Sequence, residues 1–336
     1  MRPSPTFFGP ADAARRLGVS VKALRIYERH GLVAPGRTAS GWRSYGPDDM
    51  ARLAEIAALR ALGLSLGQVA RVLAGEPRDL EPALAAHQAR LEAEAGALSA
   101  VLGRVRAIRA GLAQGHSPVI GELARLLGPA TAEALAFDLP WPWGGERFVL
   151  RDIKALTYII GPRGSGKTRL AQRIADALPG AVFVDLDRAA DGAAAARMRI
   201  AANPALAARV ETALAWLAED GAAPSDALLA LIAALEARES AFMVVDMVEQ
   251  GLDQPSQEAL IAHLRRRGPD RRPLFLMTRS NAILDLAAVG ADEAIIFCPA
   301  NHSPPTLVAP HPGAPGYEAV ATCLASPDVR ARLGAA

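Results

Sequence analysis

The segment GPRGSGKT, residues 161–168, restricts the possible folds of this 336-residue chain more than any other segment. It satisfies the pattern G-x-x-x-x-G-K-[ST], in which glycines let backbone N–H groups surround phosphate oxygens at a helix N-terminus. The apolar run ALTYII precedes it and RLAQRIADAL follows, which predicts a strand, a loop and a helix in that order. The predicted nucleotide-binding residues are Gly161, Pro162, Arg163, Gly164, Ser165, Gly166, Lys167 and Thr168.

Short apolar runs alternate with helical stretches over the rest of the C-terminal half. The predicted strands are ALTYII, AVFVDLD, AFMVVD, PLFLMT and EAIIF. Buried strands that alternate with helices favour a mainly parallel sheet covered on both faces. Residues 146–336 are therefore predicted to form an α/β nucleotide-binding domain, and the whole chain a multidomain α and α/β protein.

An acid and a hydroxyl are placed to complete the nucleotide site with a magnesium ion. The strand AFMVVD ends at Asp246, a position suited to an acid that holds Mg²⁺. Lys167 can reach the β and γ phosphates, and the Thr168 hydroxyl can bind the metal. The expected cofactors are therefore ATP or ADP with Mg²⁺, and the expected metal-binding residues are Thr168 and Asp246.

Positive charge is concentrated near the N-terminus. Residues 1–76 carry eleven Arg and Lys against six Asp and Glu, a balance of +5 that leaves −3 for the remainder of a chain with net charge +2. An asymmetry of this kind indicates either an anionic partner for this part or a basic, solvated face.

Turn residues divide this basic part into short helices. GPADAARRLGVS predicts a helix that ends at Gly18, and Ser20 can N-cap a second helix, VKALRIYERHG, that ends at Gly31. Two helices joined in this way are a candidate helix-turn-helix. VAPGRTASGWRSYG then leaves room for a hairpin or wing. Two further helices follow, PDDMARLAEIAALRALG and SLGQVARVLAG, and Ser65 can cap the second.

One long helix is predicted from Arg78 to Leu112. Its apolar residues recur every seven positions, at Leu84, Leu91, Leu98, Val105 and Leu112. Such a repeat favours a coiled coil over residues 77–114, and the alternative is an amphipathic helix packed on its own domain. Residues 115–145, with a short helix GELARLLG and the stretch LPWPWGG, are predicted to be a linker.

Composition excludes several classes of protein. Hydrophobic residues make up 51% of the chain, which is too apolar for a disordered protein. Its two cysteines, Cys298 and Cys323, cannot staple a chain of this length, so a reducing compartment is expected. No apolar run is long enough to span a membrane, and the N-terminus lacks the apolar core of a signal peptide. We expect a cytoplasmic protein without membrane contact.

The N-terminal residues resemble the DNA-binding domain of MerR-family transcription regulators. The resemblance is carried by Gly18-Val19-Ser20, Leu24-Arg25-x-Tyr27-Glu28, Gly31-Leu32, Arg43-x-Tyr45 and Leu62-Gly63-Leu64-Ser65-Leu66. It implies a winged helix-turn-helix over residues 1–76, a homodimer through the long helix, and double-stranded promoter DNA with an inverted repeat as partner. RNA polymerase is a further implied partner.

Residue chemistry within this resemblance gives candidate DNA contacts. Basic side chains can neutralise phosphates or read bases, and hydroxyl groups can donate to phosphates. The candidates are Ser20, Lys22, Arg25, Tyr27, Arg37, Arg43 and Tyr45. For the two tyrosines, packing in the core of a small domain is an equal alternative. Trp42, which replaces a tyrosine of the family's wing, is expected to pack in the same way.

The C-terminal half resembles ABC-type ATPases over about 147–297. After the phosphate-binding loop, the run DMVEQGLD from Asp246 resembles the family's second motif, and PLFLMTRS resembles its switch strand. The chain departs from the family in several respects. Met247 replaces the catalytic glutamate and Arg279 the switch histidine, no LSGGQ-like signature is present, and the 79 residues from Lys167 to Asp246 are few for the family. Methionine cannot polarise a water molecule, so hydrolysis should be slow or absent unless Glu249 or another subunit substitutes.

These observations together predict a MerR-type regulator whose promoter binding or activation is modulated by ATP or ADP. The family often senses metals or oxidants through cysteines at the dimerisation helix, but this chain has no cysteine before Cys298. The first alternative is a small-metabolite kinase or ATPase that regulates its own gene, in which Asp185 and Asp187 would hold metal and substrate. The second is an architectural ATPase whose dimers clamp DNA.

Overall fold

The computed structural model describes residues 6–114, 135–267 and 272–325. The predicted helix GELARLLG, at 121–128, lies outside these residues. None of the described helices combines the length and the apolar character needed to cross a membrane.

Four short helices and a small hairpin form the N-terminal region, defined here as residues 6–79. The elements are α1 (Pro10–Leu17), α2 (Val21–Arg29), β1 (Gly36–Arg37), β2 (Arg43–Ser44), α3 (Pro47–Ala61) and α4 (Leu66–Leu73). The prediction that Ser20 caps the second helix is confirmed, because its hydroxyl accepts a hydrogen bond from the Ala23 N–H at 3.1 Å. Ser65 caps α4 in the same way, with the N–H of Gln68 as donor.

The helices of the N-terminal region enclose one apolar core. Leu24 of α2 and Leu53 and Ile56 of α3 are fully buried in it, together with Tyr45 from the hairpin. A helix-turn-helix is thus present where the sequence predicts one, with α1 and α2 joined through Gly18 in the left-handed conformation.

A single long helix, α5 (Leu80–Ala113), follows a 3₁₀ turn at Pro77–Asp79. Its apolar seam faces solvent in the isolated chain. The exposed fraction is 47% for Leu84, 49% for Leu91, 66% for Leu98 and 52% for Leu112. The seam therefore does not pack on the helix's own domain, and the amphipathic-helix alternative is not what the structure contains.

A six-stranded sheet organises the sheet region, defined here as residues 135–325. Its strands lie in the order β10-β9-β5-β8-β7-β6, and every neighbouring pair is parallel except β10 with β9. The predicted mainly parallel sheet is therefore confirmed. The strands are β5 (Leu156–Ile160), β6 (Ala181–Val184), β7 (Phe242–Val245), β8 (Leu274–Met277), β9 (Glu293–Phe297) and β10 (Thr306–Leu307).

Helices cover both faces of the sheet, because alternate strand residues point in opposite directions. Tyr158 of β5 belongs to the core under one face, whereas its neighbour Ile159 belongs to the core under the other. Helices α7 to α10 pack on the first face, and α6 packs on the second. The helices are α6 (Lys167–Ala177), α7 (Ala194–Ala202), α8 (Pro204–Glu219), α9 (Asp226–Glu236), α10 (Gln254–Arg265) and α11 (Tyr317–Cys323).

An antiparallel hairpin, β3 (Leu135–Asp138) with β4 (Arg147–Leu150), packs beside α6. The residues from 135 to 145 belong to the predicted linker, yet Phe137 and Trp143 are buried in the core of the sheet region. The predicted linker boundary at 145 is therefore wrong, because residues 135–145 belong to the sheet region. A Pro- and Trp-rich stretch suggested a connector, but its apolar side chains find a core only in the folded hairpin.

Candidate functional site

The segment 161–168 forms a tight loop between β5 and α6, which begins at Lys167. Gly166 has φ +86°, a left-handed conformation that favours glycine. A Cβ atom at this position would lie 2.6 Å from the indole ring of Trp143. The hairpin of β3 and β4 thus packs directly on the loop through Trp143, and this close packing requires a glycine at position 166.

Gly161 is required for a second close approach. A Cβ atom there would lie 2.4 Å from the Cys298 carbonyl oxygen and 2.7 Å from the Ser165 hydroxyl oxygen. Cys298 follows β9, so the loop is tied to the strand on that side of β5. Burial raises the pKa of the Cys298 thiol to about 12, which keeps it protonated and unreactive at neutral pH.

The ammonium group of Lys167 lies inside the loop. Its Nζ donates to the carbonyl oxygen of Pro162 at 2.6 Å, and the residue is only 8% exposed. Burial lowers the pKa of Lys167, and the nearby charge of Arg279 lowers it further. A bound phosphate would replace the carbonyl as a much stronger partner for this cation. Thr168, the next residue, is the second of α6.

Asp246 lies immediately after β7, as the sequence predicts, and is 7% exposed. Its pKa is raised by burial first and by the neighbouring Asp185 second. Arg188 and Lys167 act in the opposite direction. A magnesium ion would relieve the cost of holding this carboxylate charged inside the protein.

Arg188 is a site residue that the sequence analysis missed. Its guanidinium group donates to three successive carbonyl oxygens, those of Asp246 at 2.9 Å, Met247 at 3.0 Å and Val248 at 3.2 Å. Met247 has φ +40°, an unfavourable conformation for a residue with a side chain. Arg188 thus holds the turn after Asp246 in place. Its position in the loop after β6, just beyond Asp185 and Asp187, was the only available signal.

Glu249, the candidate for the missing catalytic acid, is 3% exposed. Its Oε1 accepts a hydrogen bond from the backbone N–H of Arg279 at 3.0 Å. This contact joins the turn after β7 to the segment 278–282 that follows β8. The carboxylate therefore positions backbone in this structure, and its proposed role in activating water has no further support.

The segment between β9 and β10 covers the loop from outside. The Nε2 of His302 is 3.0 Å from the Gly164 carbonyl oxygen, and Trp143 Nε1 donates to the Ser303 carbonyl at 3.1 Å. Trp141 is 72% exposed, with the Arg169 guanidinium 5.1 Å from its ring centroid. One aromatic side chain next to the loop is thus open to a ligand.

The position of β6 bears on the kinase alternative. Asp185 and Asp187 follow β6, the edge strand three positions away from β5 in the sheet. Neighbouring strands are about 4.8 Å apart, so these acids start from a strand about 14 Å from the one that carries the loop. Asp246 follows β7, one strand nearer. If the 161–168 loop holds a nucleotide, the sheet order favours Asp246 over Asp185 or Asp187 as the acid beside it.

The predicted DNA contacts fall into two groups. Arg25 of α2 and Arg37 of β1 are exposed, and the Arg37 guanidinium donates to the Gly41 carbonyl at 3.0 Å within the hairpin. Trp42, in the same hairpin, is 72% exposed, so the expectation that it packs in the core is wrong. The residues between β1 and Trp42, at 38–41, are small and exposed, so they do not cover the indole ring.

The second group is turned inward. Tyr27 is 6% exposed and Tyr45 is fully buried. The Tyr45 hydroxyl donates to Glu28 at 2.5 Å, and the Arg43 Nε donates to the other oxygen of the same carboxylate at 2.5 Å. Both tyrosines thus have the core-packing role that the sequence left as an alternative. As a correction to their assignment as DNA contacts, the structure uses their rings to build the N-terminal core.

Lys22 of α2 contacts the sheet region. Its Nζ donates to the carbonyl oxygens of Asn281 at 3.2 Å and Ala282 at 2.9 Å, and lies 3.8 Å from a carboxylate oxygen of Glu258. Burial lowers the pKa of Lys22, and the charge of Glu258 opposes that effect. No sequence pattern indicates this contact, because its residues lie about 260 positions apart along the chain.

Comparison with known proteins identifies relatives of the N-terminal part. Residues 10–76 match the model of the MerR HTH family regulatory proteins. The HTH-type transcriptional regulator HmrR of Sinorhizobium medicae is 32% identical over 132 residues, which are 36% of this chain and 90% of that protein. A probable heavy metal-dependent transcriptional regulator of Haemophilus influenzae is 45% identical over 65 residues, which are 19% of this chain. The chain spans about half (51%) of that second relative's length.

The sheet region has more distant structural neighbours. The SMC head domain from Thermotoga maritima superposes with a TM-score of 0.34 at 12% identity, covering 48% of this chain and 93% of that one. A likeness at this level carries no conclusion about the activity of the present chain. The geometry of the loop is the stronger guide to its chemistry.

Proposed function

Since the chain belongs to the MerR family of regulatory proteins, we propose that it is a DNA-binding transcription regulator controlled by ATP or ADP bound to the 161–168 loop. The main support for this proposal is the loop itself, which requires glycines, joins β5 to α6 and encloses Lys167. Asp246 follows β7, two strands away from β5 in the sheet. Backbone N–H groups at the N-terminus of α6 and the Lys167 cation would hold the phosphates. Thr168 and Asp246 would hold Mg²⁺.

The bound nucleotide would be sensed rather than turned over rapidly. Met247 cannot act as a general base, and Glu249 is engaged with the backbone of Arg279. A long-lived nucleotide complex suits a regulator, because its two states must persist long enough to alter transcription. The nucleotide shifts the protein between these states only if it binds them with different affinity.

Promoter recognition would follow the family's arrangement. A homodimer formed through the exposed seam of α5 would present two copies of α2 to an inverted repeat. Arg25 on α2 is open to DNA, Lys22 becomes available when it leaves the sheet region, and the β1–β2 hairpin with Arg37 would serve as the wing. RNA polymerase at the same promoter and a cytoplasmic location complete this proposal.

Binding of labelled promoter DNA by the full chain, measured without nucleotide and with ADP, ATP or a non-hydrolysable analogue, tests the proposal. We expect DNA affinity to differ between these conditions. Lys167→Ala should weaken ATP binding about 10- to 100-fold, because it removes a charge-assisted contact to phosphate. Lys154→Ala is the matched control, since Lys154 pairs with Asp152 at the surface.

The DNA half of the proposal has its own variant. Arg25→Ala should weaken DNA binding about 10- to 100-fold while leaving ATP binding intact.

Equal ATP affinity in Lys167→Ala and the unaltered chain would refute the nucleotide site. Phosphoryl transfer to a small metabolite would instead support the kinase alternative.

A further inference from the structure

Two of the three basic side chains of α2, those of Lys22 and Arg29, are bound to the sheet region. Lys22 donates to two carbonyl oxygens of the segment 278–282, and Arg29 forms an ion pair with Glu258 at 2.5 Å. Glu258 lies on α10 with its side chain 4% exposed, so the sheet region supplies a largely buried carboxylate to two cations of α2. Carbonyl and carboxylate oxygens are the same kind of acceptor that DNA offers these side chains through its phosphates.

A second set of contacts holds the two regions together through α3, α4 and the end of α8. The two terminal nitrogens of Arg60, Nη1 and Nη2, each donate to Asp220 at 2.8 Å. The same carboxylate accepts a hydrogen bond from the Leu66 N–H at 2.6 Å. Glu219 accepts hydrogen bonds from the Ser65 hydroxyl and from Arg71. An ion pair with one partner 2% exposed and two parallel bonds is much stronger than a typical surface pair.

Space remains between the two regions. A cavity of about 1080 Å³ lies between α2, α5 and the helices of the sheet region, and Lys22, Ile26 and Glu258 are among its lining residues. The contact is therefore made by a few polar anchor points rather than by a continuous apolar interface. Interfaces of this kind separate more easily than closely packed ones.

We propose that the sheet region carries a docking surface for the N-terminal region, in which Glu258, Asn281 and Ala282 bind α2 while Asp220 holds α3 and α4, and that this surface competes with DNA. The inference rests on the proposed DNA-binding role of α2. Lys22 cannot donate to phosphates while it is bound to the carbonyl oxygens of Asn281 and Ala282. The major groove admits a helix only when the side facing DNA is clear, so the docked chain cannot read DNA with this helix.

The docking surface is linked to the nucleotide loop through the segment 278–282. Arg279 is the second residue of this segment. Its positive charge repels that of Lys167, and its backbone N–H donates to the Glu249 carboxylate. Ser280 Oγ donates to Gln257 at 2.6 Å, next to Glu258 on α10. A γ-phosphate bound at Lys167 would attract the Arg279 guanidinium, and a shift of this segment would move the carbonyl oxygens of Asn281 and Ala282 away from Lys22. We therefore expect ATP to weaken docking.

A disulfide between the two regions tests the competition. A Cβ atom built at Gly67 would lie 3.1 Å from the Cβ of Glu219, within a few tenths of an ångström of disulfide geometry. Gly67→Cys with Glu219→Cys, in a Cys323→Ser background, can therefore lock the docked arrangement without altering α2. Cys298 is buried and stays in place.

Binding of short labelled random-sequence duplexes at low salt is then measured for the oxidised and the reduced protein. We expect oxidation to lower DNA affinity at least about 10-fold, a difference of about 1.4 kcal/mol, and reduction to restore it. Equal affinity in the two forms overturns the docking proposal. Failure of the reduced protein and the unaltered chain to bind DNA overturns the proposed function instead.

A second variant needs no cross-link. Glu258→Gln keeps the shape of the side chain but removes the charge that holds Lys22 and Arg29, so DNA affinity should rise about threefold. Glu318→Gln, at an exposed position on α11, is the control. Unchanged DNA affinity in Glu258→Gln contradicts the docking surface.

The link through Arg279 has a test of its own. ATP should slow disulfide formation in the double-cysteine protein, and an unchanged rate in a chain that binds ATP overturns the link.

Discussion

At the scale of single residues, the 161–168 loop requires glycine at two positions, because a side chain there would overlap neighbouring atoms. Gly161 and Gly166 each approach another part of the protein so closely that a Cβ atom would overlap it. Arg188 and Glu249 act one step further out, because each binds backbone groups of the turns that surround the loop. Pattern matching finds the glycines, whereas the two charged residues become visible only through their contacts.

Gly161→Ala should destabilise the sheet region by about 1–3 kcal/mol, because the new methyl group would lie 2.4 Å from the Cys298 carbonyl oxygen. Urea unfolding followed by circular dichroism measures the difference. Gly290→Ala is the control, since its nearest neighbour would be 3.9 Å away. A Gly161→Ala protein as stable as this control would show that the approach to Cys298 is not made in solution.

At the scale of elements, α2 and α5 have surfaces that the isolated chain uses differently. The apolar seam of α5 is exposed along its length, whereas Lys22 and Arg29 of α2 are held by the sheet region. An exposed leucine seam with a repeat of seven residues is typical of a helix that pairs with another copy. The seam of α5 thus indicates a dimer. The cations of α2 indicate a helix that can bind either the sheet region or DNA.

Leu98→Asp should weaken the proposed dimer at least about 100-fold. Each subunit would lose about 1.5 kcal/mol or more of apolar burial, and the dimer contains two copies of the seam. Sedimentation over a range of concentrations measures the change. Ser99→Asp places the same charge on the adjacent, exposed position, outside the seam. If Leu98→Asp and Ser99→Asp dissociate equally, the seam is not the dimer contact.

At the scale of the whole molecule, two bodies of opposite charge are joined by polar contacts. The N-terminal part has an excess of basic residues, and the sheet region contributes Asp220 and Glu258 to the contact. Salt should therefore weaken this contact as it weakens DNA binding, although the buried pair with Asp220 is screened less than the others. The sheet region also contains a buried histidine, His263, whose charge depends on pH.

His263 of α10 is 4% exposed beside Trp216 and Glu236, and burial lowers its pKa. Glu236 opposes the decrease, whereas the charges of Arg266 and Arg267 add to it. Below about pH 6.5 the unfolded chain binds a proton here that the folded chain binds more weakly. The free energy of unfolding should therefore decrease as the pH falls, by at most about 1.4 kcal/mol per pH unit from this group.

Urea unfolding between pH 7.5 and 5.5 checks this prediction, with His263→Gln expected to flatten the decrease. His311→Gln removes an exposed histidine and should leave the slope unchanged. If both variants retain the full slope, the dependence comes from other groups.

Much of the architecture could be predicted because it depends on local patterns. Ser20 and Ser65 cap helices wherever such helices form, and alternate apolar residues in β5 and β8 require cores on both faces of the sheet. The stretch around Trp143 was harder to interpret, since proline and tryptophan occur in linkers and in cores alike. Tyr45 shows the same ambiguity, because its hydroxyl could meet a phosphate or Glu28.

The helix-turn-helix, the seam of α5 and the loop before Lys167 could be predicted from sequence alone, because each depends on residues close together in the chain. The hydrogen bonds from Arg188 to the turn after Asp246, and from Lys22 to Asn281 and Ala282, are visible only in the folded chain. Those contacts join residues 58 and about 260 positions apart. Their partners are carbonyl groups, which every residue has, so no side-chain pattern marks them before the chain folds.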